Sequence, residues 1–348
     1  MSKIKVAILG ATGAVGQRFV QLLEDHPWFE VSALTGSDRS AGGTYAEACR
    51  WVLPGQIPAY ARKMTILTSE PGFDARLAFS ALPSEKARIF EPRLAQAGYA
   101  VCSNASAHRT WDDVPLLIPE VNPDHTALTA VQREARGWEG FIVTNPNCTS
   151  TGLTLALRAL HDAFTLKKVF VVSMQALSGA GYPGVASLDI LDNVIPYISG
   201  EEDKVETEPQ KMLGRLSGGR IDFLPVQISA HTNRVPVTDG HMVCASVEFA
   251  HPPTPEAASA ALAGFKAPDI VASLPSAPAT VIEVTDVPDR PQPRRDRDAG
   301  NGMTTIVGRV RADPLFHIKF VNYSHNTIRG AAGGAILNGE LLVAQGLI

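Results

Sequence analysis

The chain has 348 residues, 45% hydrophobic and 19% charged, with a formal net charge of −4. This is an ordinary globular composition, long enough for two domains that each bury a core. The charge gives no reason to expect nucleic acid or an anionic membrane as partner, and no apolar run is long enough to span a bilayer.

Lys3 to Leu9 reads as an apolar strand. Gly10-Ala-Thr12-Gly13-Ala14-Val15-Gly16 follows, and then a helix carrying Phe19, Val20, Leu22 and Leu23. Strand, glycine turn and helix is the arrangement that cradles a dinucleotide pyrophosphate, because glycine lets the backbone approach and the helix N-terminus faces the negative charge. A second strand, Phe29 to Leu34, leads to Thr35 and the loop Ser37-Asp38-Arg39-Ser40. A free ribose would call for an acidic residue at the strand's end. Ser37, Arg39 and Ser40 suit a 2′-phosphate instead, so NADP is expected over NAD.

Strand-like runs recur at Arg76 to Ala81, before Ser84, and at Tyr99 to Ser103 and Phe141 to Thr144. Helical stretches such as Glu85 to Ala97 lie between some of them. The alternation predicts an α/β fold with a doubly wound, mostly parallel sheet, a Rossmann-type domain over residues 1–149. Asn145-Pro146-Asn147 is a polar turn, and Cys148 follows at the start of a helical repeat of Leu153, Leu157 and Leu160. A cysteine at a helix N-terminus is favoured as thiolate, and a thiolate is a nucleophile.

Beyond Leu160 the runs Val169–Gln175, Phe223–Ala230, Met242–Phe249, Ala279–Val284, Thr304–Val310 and Phe316–Asn322 read as strands with few helices between them. They predict a second α+β domain over residues 150–325 with a mixed or antiparallel sheet. Asn326 to Gly346 reads as a helix that packs back on the first domain. Pro288 to Gly302 reads as a solvated loop. The second sheet has a face to cover and no long helices to cover it, so a homodimer or a tetramer built from dimers is expected.

Four cysteines, Cys49, Cys102, Cys148 and Cys244, form no CxxC pair, and no metal spacing relates them to the nine histidines. No metal is expected, and a reducing compartment, the cytoplasm, fits best. The start MSKIKVAILG enters a strand without a signal-peptide core. Gln175 precedes a flexible Ser178-Gly179-Ala-Gly181. Glu208 and Lys211 lie three apart, on one face if helical. Arg234 and His241 frame RVPVTDGH. A thiol, an imidazole and several basic groups behind a dinucleotide turn suit covalent catalysis on an anionic substrate.

GATGAVGQ, SNASAHR, NPNC, the Gln175 stretch, ExxK, RVPVTDGH and NTIRGAAGG together cover nearly the whole chain. In these motifs the chain resembles the aspartate-β-semialdehyde dehydrogenase family, in its archaeal and fungal branch. The resemblance implies NADPH-dependent reduction of β-aspartyl phosphate to aspartate semialdehyde, on the route to lysine, threonine and methionine. Cys148 would form the thioester, His241 would serve as general acid/base, and Gln175 would hold the acyl group. Arg234 would bind the substrate α-carboxylate and Glu208 its α-ammonium. Asn147, Arg109 and Lys211 would receive phosphate. Thr12 to Val15, Ser37, Arg39, Ser40, Ser84, Ser178, Gly179 and Asn326 would line the NADP site. Malonyl-CoA reductase of the same lineage is the nearest alternative, and Glu208 argues against it because a malonyl group has no ammonium. An inactive NADP-binding regulator would need none of Cys148, Gln175 and His241.

Overall fold

The computed structural model describes residues 2–348. Its first sheet consists of β1 (Ile4–Leu9), β2 (Phe29–Thr35), β3 (Ile66–Leu67), β4 (Leu77–Ser80), β5 (Ala100–Ser103) and β6 (Phe141–Thr144). All neighbours are parallel, in the order β3-β2-β1-β4-β5-β6. Every residue of β4, β5 and β6 is buried, as parallel strands covered on both faces must be. Helices α1 (Ala14–Leu22), α2 (Ser84–Gln96) and α3 (Leu128–Arg136) lie between the strands. The two-residue edge strand β3 has no period to announce it in the sequence. Strand order reverses between β1 and β4, which opens a crevice at their carboxyl ends. Gly10 sits there with φ +71°, and a β-carbon on it would come within 3.0 Å of the Ala81 carbonyl.

From β6 the chain turns through Asn145-Pro146-Asn147 into α4 (Cys148–Phe164). This helix starts at the first sheet and buries Leu153, Leu157 and Leu160 in the core of the second. The second sheet contains β7 (Leu166–Gln175), β10 (Gln227–Arg234), β11 (His241–Phe249), β12 (Ile282–Thr285), β13 (Thr305–Ala312) and β14 (Ile318–Ser324). Outside it lies a hairpin of β8 (Arg215–Ser217) and β9 (Arg220–Asp222). The order is β10-β7-β11-β14-β13-β12. β10/β7 and β12/β13 are parallel, and the remaining pairs are antiparallel.

Two expectations for this half need correction. The strand foreseen at Phe223–Ala230 begins at Gln227, because Pro225 has no amide for the ladder, and it runs on to Arg234. The sheet is also better supplied with helices than the sequence suggested. The core on its inner face draws on α4, on α5 (Glu201–Met212) through Val205 and Met212, and on α6 (Pro255–Ala263) through Ala258 and Leu262. The opposite face is bare. There Phe170, Val172, Met174, Met242, Cys244 and Val321 are only half-buried and pair across β7, β11 and β14.

The last helix, α7 (Gly333–Ala344), returns to the first sheet. Ala335, Ile336 and Leu342 join Leu77 and Phe79 in its core, while Leu337 and Leu341 pack against Val271, Leu274 and Ile328. Apolar residues all round a helix mark it as buried on every side, and here two cores share it. Glu340 adds a polar tie, accepting from His26 Nε2 at 2.8 Å and Ser276 Oγ at 2.6 Å. Just before the helix, Arg329 makes a two-pronged pair with Glu120, both contacts 2.7 Å, and neither residue is more than 3% exposed. No helix among the described residues is long and apolar enough to cross a membrane.

Removing one partner of a buried pair strands the other charge and typically costs about 3–5 kcal/mol. Arg329→Met is therefore expected to lower the unfolding free energy by about that amount, read as a lower denaturation midpoint. A midpoint within experimental error of the unmutated chain would show that the pair does not hold the C-terminal segment in place.

Candidate active site

The site is assembled where three elements end. Asn147 is the N-cap of α4, with Oδ1 accepting from the amides of Thr149 and Ser150 at 2.9 and 3.3 Å. Cys148 is therefore the first residue of the helix, and its side chain is the outlet of the turn. A β-carbon on Gly330 would stand 2.7 Å from Cys148 Cβ, so the returning C-terminal segment closes over the cysteine. Asn145 braces the turn. Its Nδ2 donates to Asn104 Oδ1 and to the Ala331 carbonyl, and its Oδ1 accepts from Asn338.

Gln175 ends β7 and Arg234 ends β10, directly opposite each other in register. His241 opens β11. Its Nε2 lies 3.1 Å from Cys148 Sγ, and its Nδ1 accepts from the Ala176 amide at 3.1 Å. Arg234 donates through Nη1 to the Ala176 carbonyl at 2.6 Å. Gly179 covers both, since a β-carbon there would meet Arg234 Nη1 and the His241 ring at 2.9–3.2 Å. Gln175 is buried, and its amide donates to Ser173 Oγ at 3.2 Å. His241 thus meets the Cys148 sulfur, Arg234 holds the Ala176 segment beside it, and Gln175 lies across the ladder from Arg234.

Burial works against the thiolate expected at this helix end. Burial, reinforced by the nearby Glu201 carboxylate, pushes the Cys148 thiol up to about 12 against the pull of Arg109 and Arg234. The helix terminus is also partly spent, because Asn147 occupies the Thr149 and Ser150 amides. Burial, reinforced by the Arg234 charge, pushes His241 down to about 3, so burial disfavours charge on both members of the pair.

Glu201 was not foreseen. It lies two helical turns before Glu208 and therefore on the same face of α5, and that spacing was the available signal. It accepts from Asn147 Nδ2 at 2.8 Å and from Lys204 at 2.7 Å. Glu208 accepts from Arg109 Nη1 at 2.8 Å and from the Asn147 amide at 2.6 Å. A carboxylate has about four acceptor positions, so Glu208 retains capacity while already anchoring two groups. Arg109 also donates to the Asn104 carbonyl at 2.8 Å, and its Nε is buried without a partner.

Lys211 is the clearest departure. Its ammonium donates to the carbonyls of Arg109, Trp111 and Val114 at 2.7–2.9 Å. All three protons are engaged by carbonyls, so Lys211 braces the Arg109 loop. Burial pushes it down to about 8, opposed by Asp112 and Asp113.

On the cofactor side, a cavity of about 580 Å³ runs from Ala14 and Arg18 on α1 to Leu177, Ser178, Gly181 and Thr327. Thr12 and Val15 lie in the same turn, and Gln17 holds the Thr12 carbonyl at 3.0 Å. Asn326 Nδ2 donates to Ser178 Oγ at 2.8 Å, and Ser84 shares a 2.9 Å hydrogen bond with Ser106. Ser37 and Arg39 are exposed in the loop after β2, where Ser40 Oγ donates to the Ser37 carbonyl at 2.9 Å. Gly10 with its positive φ supplies the close backbone approach that a dinucleotide needs.

Two family models match the chain: the semialdehyde dehydrogenase NAD-binding domain over residues 5–129, and the semialdehyde dehydrogenase dimerisation domain over residues 157–329. An aspartate-semialdehyde dehydrogenase of Archaeoglobus fulgidus is 52% identical over 99% of this chain and all of its own. That of Schizosaccharomyces pombe is 44% identical over 99% of both chains. The crystal structure of the Candida albicans enzyme with NADP covers both chains completely, with a TM-score of 0.92 at 40% identity. The Vibrio cholerae aspartate semialdehyde dehydrogenase II complexed with ASA covers 99% of both chains, at 0.78 and 27%.

If Lys211 is a brace, Lys211→Met should leave three carbonyls short of a donor and cost at least about 1–3 kcal/mol of stability. Melting temperature is the discriminating measurement. A raised KM for phosphate with no change in melting would return Lys211 to the substrate.

Proposed function

The chain belongs to the aspartate-semialdehyde dehydrogenase family, and from that premise we propose that the cleft around Cys148 is where it works. The enzyme reduces β-aspartyl phosphate to aspartate β-semialdehyde and phosphate, reversibly and with NADP as cofactor, in the biosynthesis of lysine, threonine and methionine. The observation that carries the assignment of the site is the 3.1 Å contact between Cys148 Sγ and His241 Nε2 at the junction of the cofactor crevice and the second sheet.

Cys148 attacks the acyl carbon and holds it as a thioester while phosphate departs. His241 governs the sulfur through its hydrogen bond. Gln175, at the strand end beside it, holds the acyl group. Arg234 keeps one nitrogen on the Ala176 carbonyl and turns its other edge to the α-carboxylate, as a guanidinium fork can. Glu208 takes the α-ammonium on its free acceptor positions. Arg109 receives phosphate, and its unpartnered buried Nε supports that reading. Asn147 sets the geometry of both carboxylates. When bound, NADPH supplies the hydride. Gly10, Thr12, Gly13, Ala14, Val15 and Gly16 cradle its pyrophosphate; Ser37, Arg39 and Ser40 face its 2′-phosphate; Ser84, Ser178, Gly179 and Asn326 line the rest. The half-buried face of β7, β11 and β14 seats a second copy of the chain. Four free cysteines suit the cytoplasm.

Four outcomes follow. Cys148→Ala should abolish turnover while NADPH still binds, because the thiol makes the covalent bond and the cofactor rests on the glycine turn; substantial residual turnover would remove the thioester. In the unmutated enzyme, phosphate-dependent NADP⁺ reduction with aspartate semialdehyde should far exceed NADPH oxidation with malonyl-CoA. NADPH should be preferred to NADH, less so in Arg39→Ala, and equal kcat/KM for the two cofactors would contradict the assignment of that loop. Light scattering at micromolar protein should give a dimer or a multiple of it; a monomer would leave the open sheet face unexplained.

A further inference from the structure

Arg109 and Glu208 are each other's counter-charge. Arg109 Nη1 meets Glu208 Oε1 at 2.8 Å, and the two residues are only 9% and 7% exposed. Each also has a backbone tie. Glu208 Oε2 accepts from the Asn147 amide at 2.6 Å, and Arg109 Nη2 donates to the Asn104 carbonyl at 2.8 Å. Asn147 is the residue before Cys148, so the pair stands beside the nucleophile. Neither member is used up. Arg109 Nε is buried with no partner, and a carboxylate accepts at about four positions. The groups assigned above to phosphate and to the α-ammonium are thus already neutralised by each other, at a depth where screening is weak. Phosphate arriving alone at Arg109 meets a cation cancelled by a carboxylate one contact away. An ammonium arriving alone at Glu208 meets a carboxylate cancelled by a guanidinium. If the pair opened to serve one ligand, its other member would be a stranded buried charge, which is costly. With both ligands present, phosphate, Arg109, Glu208 and ammonium alternate in sign, and no charge is left alone.

We infer that the Arg109–Glu208 ion pair couples the two ends of the substrate site, so that the α-ammonium of aspartate semialdehyde and inorganic phosphate each bind more tightly in the presence of the other. This coupling rests on the reading above that gives phosphate to Arg109 and the ammonium to Glu208. It is reciprocal, because whatever one ligand does to the affinity of the other is returned by the same factor. The pair therefore sets specificity beyond the contact that Glu208 itself makes. A semialdehyde without an ammonium leaves the Glu208 charge turned on the phosphate, so such a substrate is penalised again at the binding of the second reactant. In the direction of acyl phosphate reduction both charges arrive on one molecule, and the pair is satisfied in a single event.

The test is calorimetry on the full-length Cys148→Ala enzyme loaded with NADP⁺, in which aspartate semialdehyde binds without turning over. Inorganic phosphate is titrated with no aldehyde, with saturating aspartate semialdehyde, and with saturating succinic semialdehyde, the same carbon chain without the ammonium. The expected phosphate dissociation constant is about tenfold lower with aspartate semialdehyde than with no aldehyde, a coupling of ordinary size, and no lower with succinic semialdehyde. Titrating aspartate semialdehyde with and without phosphate should return the same factor. A phosphate constant indifferent to aspartate semialdehyde would overturn the coupling, and so would equal tightening by succinic semialdehyde. These arms use one protein, so they stand even where a change in the buried pair disturbs folding. Adding Glu208→Gln should abolish the tightening; tightening that survives in that variant, folded, would show that the pair does not carry it. Arg109→Met tests the underlying assignment. Phosphate binding unchanged by it would take Arg109 away from phosphate, and the coupling with it. Phosphate weakened by Arg109→Met and aldehyde weakened by Glu208→Gln, with no coupling in the intact pair, would leave the assignment standing and sink the coupling alone.

Discussion

Asn147 holds the active site in one piece. It follows the last strand of the first sheet, and its Oδ1 caps the helix that forms part of the second core. Its Nδ2 goes to Glu201 and its backbone amide to Glu208, so both carboxylates of α5 are placed by one residue. A cap is ordinarily worth about 1 kcal/mol. Here the same side chain also fixes which way two buried carboxylates face, and with them the field around Cys148. Because the two sheets meet at this residue, their relative position and the geometry of the nucleophile are a single variable.

Around that point the protein buries more charge than a stable core requires. Glu208 with Arg109, Arg329 with Glu120, and Lys211 on three carbonyls each carry a desolvation cost that excellent geometry must offset. Each tie joins segments far apart in the chain. Arg109 and Lys211 belong to different domains in sequence but to one wall of the cleft in space, and Glu120 is met by a residue from the last stretch of chain. An apolar contact could supply similar stability, but it would not specify direction as a hydrogen bond does. Groups that orient a substrate need direction.

The sequence disclosed what depends on local pattern. The glycine turn between β1 and α1, the cysteine after NPN, and Arg234 and His241 on either side of a turn all stand at element ends, and element ends have composition signals. Side chains whose partners are long-range were harder to read. The phosphate role of Lys211 came from the family resemblance, and its spacing to Glu208 alone reads as a solvated pair; only the fold brings the carbonyls of Arg109, Trp111 and Val114 to it. Cys148 looked like a thiolate because a helix N-terminus lies beside it, but burial depends on Gly330, far along the chain. Glu201 could have been found from its helical spacing to Glu208. The role of Ala176 could not, since its contribution is a backbone amide and no side-chain pattern encodes one.

The return of α7 to the first sheet has a consequence for biogenesis. Chains leave the ribosome N-terminus first, and early domains ordinarily fold as they appear. Here Leu77 and Phe79 wait for Ile336 and Leu342, and the enclosure of Cys148 waits for Gly330. The nascent protein therefore exposes an apolar sheet face and an accessible thiol until the segment from Gly330 to Leu342 is made. Its reactive centre is finished only with that segment, and a chain interrupted before it would carry a cysteine open to solvent and a sheet inviting aggregation.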